Sequence, residues 1–192
     1  MTTASAWTEV QTAVGGALRL AIGDRRGLNF FDASIDGFWR SFRAGLICYP
    51  LYLLLVGFRV TDAQWEISGA APILLVETIA YVISWVGFPL LILPVARHFS
   101  RSDRFLSFIV AYNWAQIPQT AVFVLVGLAG ATGLQPPSGA YLAGLLAAIA
   151  ALVYEWYIAR VALAVTGTQA TLVVIVYLLL STALGHIALS LY

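Results

Sequence analysis

The chain has 192 residues, of which 61% are hydrophobic and 10% charged, and its formal net charge is +1. Soluble domains carry roughly 25% charged residues, so this chain has too few charges to cover a water-facing surface and reads as a membrane protein. Its near-zero charge excludes a field that gathers nucleic acid, and its single cysteine, Cys48, excludes a disulfide framework or a thiolate zinc cage.

Residues 1–41 precede the first long apolar run. They hold no basic segment followed by an apolar one, so no cleaved signal peptide is expected. Trp7, Val10, Val14, Ala17 and Ala21 recur at helical spacing, with Thr8, Glu9, Gln11 and Arg19 elsewhere around the helix. This pattern predicts an amphipathic helix lying in the membrane interface, although Gly15 and Gly16 at its centre disfavour helix. In the run GDRRGLNFFDASIDGFWRSFRAG that follows, Asp32 or Ser34 is placed to cap a short helix. Phe30, Phe31, Phe38, Trp39 and Phe42 suit an interfacial aromatic belt, and Arg40 and Arg43 suit the headgroups. Trp7, Phe30, Phe31, Trp39, Arg40 and Arg43 are the expected membrane-interface residues.

A helix needs about 20 apolar residues to cross the hydrocarbon core. Residues 42–60, 70–95, 105–131, 139–165 and 171–191 each meet that length, so residues 42–192 form one transmembrane domain of five helices. Pro89 and Pro94 interrupt the second run, and Pro118 interrupts the third. All ten basic residues are arginine. Arg59 alone falls at the first connection; the other nine share one side if the N-terminus is cytoplasmic. The positive-inside rule then places the N-terminus in the cytoplasm and the C-terminus in the periplasm, with the bacterial inner membrane as the expected location.

The third run carries Tyr-Asn-Trp-Ala-Gln-Ile-Pro-Gln at residues 112–119, three carboxamides and a proline where a core favours leucine. At 100° per residue, Asn113, Gln116 and Thr120 fall on one stripe with Gln119 at its flank. The fourth run places Gly144, Ala148, Ala151, Glu155, Ala159 and Ala162 on one face, a small-residue stripe that lets helices approach closely. Glu155 and Asn113 lie at matching depths, so Glu155 is expected to meet Asn113 or Gln116. Glu77 in the second run shares a face with Tyr81 and Ser84, and His186 in the fifth with Thr182 and Ser190. A charge at the bilayer centre costs about 2.5–3.5 kcal/mol on insertion scales, and neither acid has an obvious cation at the same depth. Arg160 is placed instead over Trp156. Glu77, Asn113, Gln116, Gln119, Glu155 and His186 are the expected buried polar cluster. They line a site for a proton, ion or headgroup, or else they fix packing by interhelical hydrogen bonds.

No HExxH, CxxC, G-x-S-x-G or GxxxxGK[ST] motif occurs. No enzymatic activity, metal or cofactor is expected. The segment WYIARVALAVTGTQATLVVIVYLLLSTAL, residues 156–184, joins the fourth and fifth runs through an aromatic and arginine stretch and a glycine-containing turn. With FDASIDGFWRSFRAG before the first run, it resembles the bacterial branch of the Yip1-type five-span membrane proteins. The resemblance implies membrane organisation and binding of protein partners, small GTPases among them in the family. The expected protein is an all-α, five-span bundle with an interfacial N-terminal helix. It acts as a scaffold, lipid-interacting protein or accessory subunit, with membrane lipids and other subunits or copies of itself as partners. The alternative is a small transporter or channel-like component built around Glu77, Asn113 and Glu155.

Overall fold

The computed structural model describes residues 6–134 and 136–192 and contains helices and turns, with no strand among them. Helix α1 (Ala6–Ala21) is followed by a 3-10 turn at Arg25–Phe30 and by α2 (Ile35–Ser41), which runs almost directly into α3 (Arg43–Arg59). Ser34 caps α2 by accepting from the Gly37 N–H at 3.0 Å, while Asp32 accepts from the Ser34 N–H at 3.0 Å. After α3 come α4 (Asp62–Ser68), α5 (Ala70–His98), α6 (Phe105–Ala131), α7 (Pro137–Ala162) and α8 (Gly167–Leu189).

Five helical stretches are long and apolar enough to cross a membrane: Ile35–Arg59, Ala70–His98, Ser102–Ala131, Pro137–Ala162 and Gly167–Leu189. The protein is accordingly an integral membrane protein in architecture, with large apolar side chains covering its outer faces. Two boundaries differ from the sequence expectation for the same reason. Thr61 with Gln64, and Thr166 with Gln169, form capping boxes, in which side chain and backbone bond reciprocally at a helix start. The first creates α4 inside what reads as a polar connection. The second starts α8 before residue 171. Pro89, Pro94 and Pro118 all lie inside helices that run on past them.

Helix α6 is the centre of the bundle, packing on α3, α7, α1 and α2, while α8 bridges α7 to α5. The arginine-rich end is solid. There Phe108, Ile109, Ile158, Ala159, Ala162, Leu163, Ile92 and Ala96 pack together with almost no exposure. Ala159 and Ala162 permit this closeness, since a methyl is the whole side chain. Towards the opposite end the buried apolar cluster is small, Val56, Val60 and Ile73, and α5 touches α3 and α6 sparsely.

The N-terminal segment is docked rather than merely laid on a surface. Ala13, Ala17 and Leu20 are buried, and Tyr154 Oη donates to the Ala17 carbonyl at 2.6 Å. Gly16 is the crossing point with the 3-10 turn. A Cβ there would lie 2.8 Å from the Gly27 carbonyl oxygen, and a Cβ on Gly27 would lie 2.4 Å from the Gly16 carbonyl oxygen. The glycine that disfavours helix in the sequence is what lets α1 be crossed this closely.

Candidate functional site

Where α5 stands off from α3 and α6, the bundle holds a partly open cavity of about 230 Å³. Its wall comes from four helices. Cys48 and Tyr52 belong to α3, Tyr81, Ser84, Trp85 and Phe88 to α5, Tyr112, Gln116, Gln119 and Thr120 to α6, and Tyr177 and Ser181 to α8. The wall combines hydroxyls, carboxamides and aromatic rings with Leu55 and Leu180, and among the described residues no arginine or histidine lines it. The rings are mutually packed: Phe88 and Tyr112 lie 4.2 Å apart between centroids, and Tyr52 and Tyr81 4.7 Å.

At the back of this wall sits Glu155 of α7, 4% exposed. Gln116 reaches towards it, and Tyr112 and Tyr177 lie within its electrostatic reach. No hydrogen bond closes, however, and Gln116 Nε2 and Glu155 Oε2 are the buried side-chain atoms left without a partner among the described residues. Buried polar atoms are nearly always hydrogen-bonded, so two orphans beside one cavity are unusual.

A second, smaller space of about 130 Å³ shares Tyr52, Tyr81, Ser84 and Ser181 with the first and leads to Arg59 and Glu77. Glu77 is 1% exposed, and its carboxylate accepts from Tyr52 Oη and Tyr192 Oη. Arg59 Nη2 lies 2.6 Å from Glu77 Oε1. The expectation that Glu77 lacks a cation is therefore corrected. Arg59 closes α3 at the depth of the second turn of α5, a register between helices that spacing along one helix does not give.

The expected polar cluster is divided by the structure. Glu155 and Gln116 are brought together as anticipated. Asn113 is buried but donates to Ser41 Oγ at 2.9 Å, tying α6 to the end of α2. Gln119 lines the cavity and donates back to the Ala115 carbonyl at 3.3 Å. Glu77 belongs to the Arg59 end. His186 is exposed and joins none of these groups; the buried face of α8 carries Ala170, Val173, Val174 and Ala188, and Ala188 is about 200° around the helix from His186. The small-residue stripe packs over half its length. Ala159 is buried and Ala148 and Ala151 are half-buried, whereas a Cβ on Gly144 would meet nothing within 4 Å.

The structure adds ion pairs to the expected interface residues. Trp7 and Trp39 are 67% and 66% exposed, and Phe30 and Phe31 border a surface pocket. Arg40 and Arg43 turn inward to α1: Arg40 Nε bonds Glu9 Oε1 at 2.7 Å, Arg43 Nη1 bonds Glu9 Oε2 at 3.1 Å, and Arg40 also pairs with Asp32. A single carboxylate between two guanidiniums makes charge-assisted hydrogen bonds to both, and both arginines stay partly exposed. Arg160 stands over Trp156 at 5.3 Å, as the sequence suggests. It also lines a cleft of about 500 Å³ with Arg25 and Arg26.

The tyrosines, Ser181 and Arg59 are absent from the expected site. The signal that finds them is position. Tyrosines cluster at membrane interfaces, yet Tyr52, Tyr81, Tyr112 and Tyr177 sit well inside their helices. Among the described residues no three His, Cys, Asp or Glu side chains gather as a metal site. No family model matches the chain, and neither a curated protein nor a solved structure matches it.

Proposed function

We propose that the chain is a non-enzymatic integral membrane protein whose bundle holds a small ligand, acting as a small transporter or channel-like component. The observation that carries this reading is the polar and aromatic cavity between α3, α5, α6 and α8, backed by the orphaned Gln116 and Glu155. Ligand sites are concave, largely apolar and furnished with a few convergent polar groups. A bundle that needed only to pack would close such a gap with aliphatic side chains. The arginine bias supports a cytoplasmic N-terminus in a bacterial inner membrane, which makes the Arg59–Glu77 end periplasmic.

Cys48 provides the test, since it is the chain's single cysteine and lines the cavity. In oriented proteoliposomes, a small, membrane-impermeant methanethiosulfonate added from the Arg59–Glu77 side should modify Cys48 in the folded protein. Modification that occurs only after denaturation would overturn the reading.

A second reading, a scaffold or accessory subunit, is favoured by the open end of the α7 stripe at Gly144. Such a stripe supports contact with a second copy or another membrane subunit. The Arg25, Arg26 and Arg160 cleft supports contact with anionic lipid. Kinship with the Yip1-type proteins is proposed on the sequence of residues 156–184 and of FDASIDGFWRSFRAG before the first span.

A further inference from the structure

We infer that the ligand class of the central cavity is a small organic cation, an aryl or alkyl ammonium. The inference rests on the reading of this cavity as a ligand site and adds its chemistry. Three observations converge. The first is the wall, where Tyr52, Tyr81, Trp85, Phe88, Tyr112, Phe123 and Tyr177 bring seven rings around one space of about 230 Å³. Ring faces carry the negative end of the aromatic quadrupole and attract a desolvated cation, most strongly where water is excluded. The second is the charge balance. No cationic side chain lines the cavity, and the nearest guanidinium in the adjoining space, Arg59, is already paired with Glu77. The third is Glu155. Its Oε2 is buried and unpartnered, no cationic side chain bonds it, and Tyr112 and Tyr177 of the cavity wall lie within its electrostatic reach.

An anion is disfavoured by each of these features. It would face ring π-clouds and a carboxyl group with only Gln116 Nε2 and hydroxyls as donors. A neutral apolar molecule would leave the Glu155 oxygen without a donor. An ammonium group supplies the positive charge that the wall lacks and an N–H for the Glu155 oxygen, and its hydrocarbon part fits the rings. The smaller space beside Arg59 and Glu77 shares Tyr52, Tyr81, Ser84 and Ser181 with the cavity, which makes it the side from which a ligand would approach. Phe108, Ile158 and Leu163 are buried in the arginine-rich half.

Protection of Cys48 against methanethiosulfonate reads the site directly, so partition of a probe into lipid does not confuse the result. Three probes of matched frame are compared: benzylammonium, benzyl alcohol and benzoate. Benzylammonium should slow Cys48 modification saturably, at a half-protecting concentration about tenfold below that of benzyl alcohol, and benzoate should give none. Glu155→Gln should erase the difference between the ammonium and the alcohol. Tyr177→Leu, which keeps Glu155, should weaken ammonium protection several-fold and leave that of the alcohol within about twofold. Equal protection by alcohol and ammonium in the unaltered protein would overturn the cation assignment and keep the ligand cavity. Reactive Cys48 with no protection by any probe would overturn the assignment while leaving the cavity solvated. An unreactive Cys48 would remove both.

Discussion

Arg59 at the last turn of α3 and Glu77 in α5 form an ion pair at 2.6 Å in which one partner is sealed and the other is not: the Glu77 side chain is 1% exposed and that of Arg59 43%. That asymmetry makes the two deletions unequal. Removing Arg59 leaves a buried carboxylate without its counter-charge, which costs about 3 kcal/mol, at the lower end for buried pairs. Glu77→Gln leaves the half-exposed guanidinium to water and keeps an acceptor for Tyr52 and Tyr192, costing about 1 kcal/mol. Thermal unfolding in detergent should therefore rank Arg59→Ala below Glu77→Gln, with the double variant close to Glu77→Gln. Equal losses would contradict the placement of Glu77.

Glu155 leads to an opposite expectation. Its orphaned oxygen is a cost in the empty protein, since an unsatisfied buried polar atom costs about 1–3 kcal/mol. Glu155→Met fills the same volume without that cost and should raise stability by about 1 kcal/mol, read as a higher melting temperature. A residue that destabilises its own fold is a common mark of a site kept for binding. A large drop in melting temperature would show that Glu155 has a structural partner after all.

The hold on α1 is electrostatic as well as apolar. Glu9 bridges Arg40 and Arg43 from a side chain that is 27% exposed. Partly exposed pairs are modest, so Glu9→Ala should cost about 1 kcal/mol. The effect should be local. Amide exchange should rise through Ala6–Ala21 and stay unchanged in α6.

Asp32 adds a pH dependence at the same end. Hydrogen bonds from Ser34, with the charge of Arg40 nearby, hold its carboxyl below the usual aspartate range. A group lowered on folding stabilises above its unfolded pKa, about 3.9, and loses that contribution as pH falls through the folded value. A carbon-13 carboxyl titration should find Asp32 below about 3.9, and Ser34→Ala should move it up. A midpoint above that range would contradict the turn geometry.

Two glycines in one region separate conformational from steric demand. Gly15 has open space around a would-be Cβ, so Gly15→Ala should stabilise α1 by about 1 kcal/mol through helix propensity. Gly27→Ala would drive its Cβ to 2.4 Å from the Gly16 carbonyl and should cost about 3 kcal/mol by forced displacement of the turn. Chemical denaturation of the two variants should move in opposite directions.

Much of this architecture is legible one helix at a time. Apolar length places five spans, the hydroxyl and amide of residues such as Ser34 place caps, and 100° periodicity pairs Gln116 with the face that meets Glu155. The misplacements all involve relations between helices. His186 and Glu155 look alike as polar residues in apolar runs, yet one is exposed and the other sealed, because the buried face of α8 is chosen by α5 and α7. Asn113 and Gln116 share a stripe but find different partners, since α2 covers only the former.

Composition and periodicity by themselves determined the membrane architecture, the number of spans and the polar stripe of α6, because hydrocarbon demands apolar length and a helix repeats at a fixed angle. Tertiary structure alone decided that Arg59 neutralises Glu77, that Glu9 restrains two arginines, and that tyrosines from four helices enclose one cavity. Those relations depend on the axial offset of neighbouring helices, a quantity fixed by side-chain packing across the bundle and carried by no single segment of the chain.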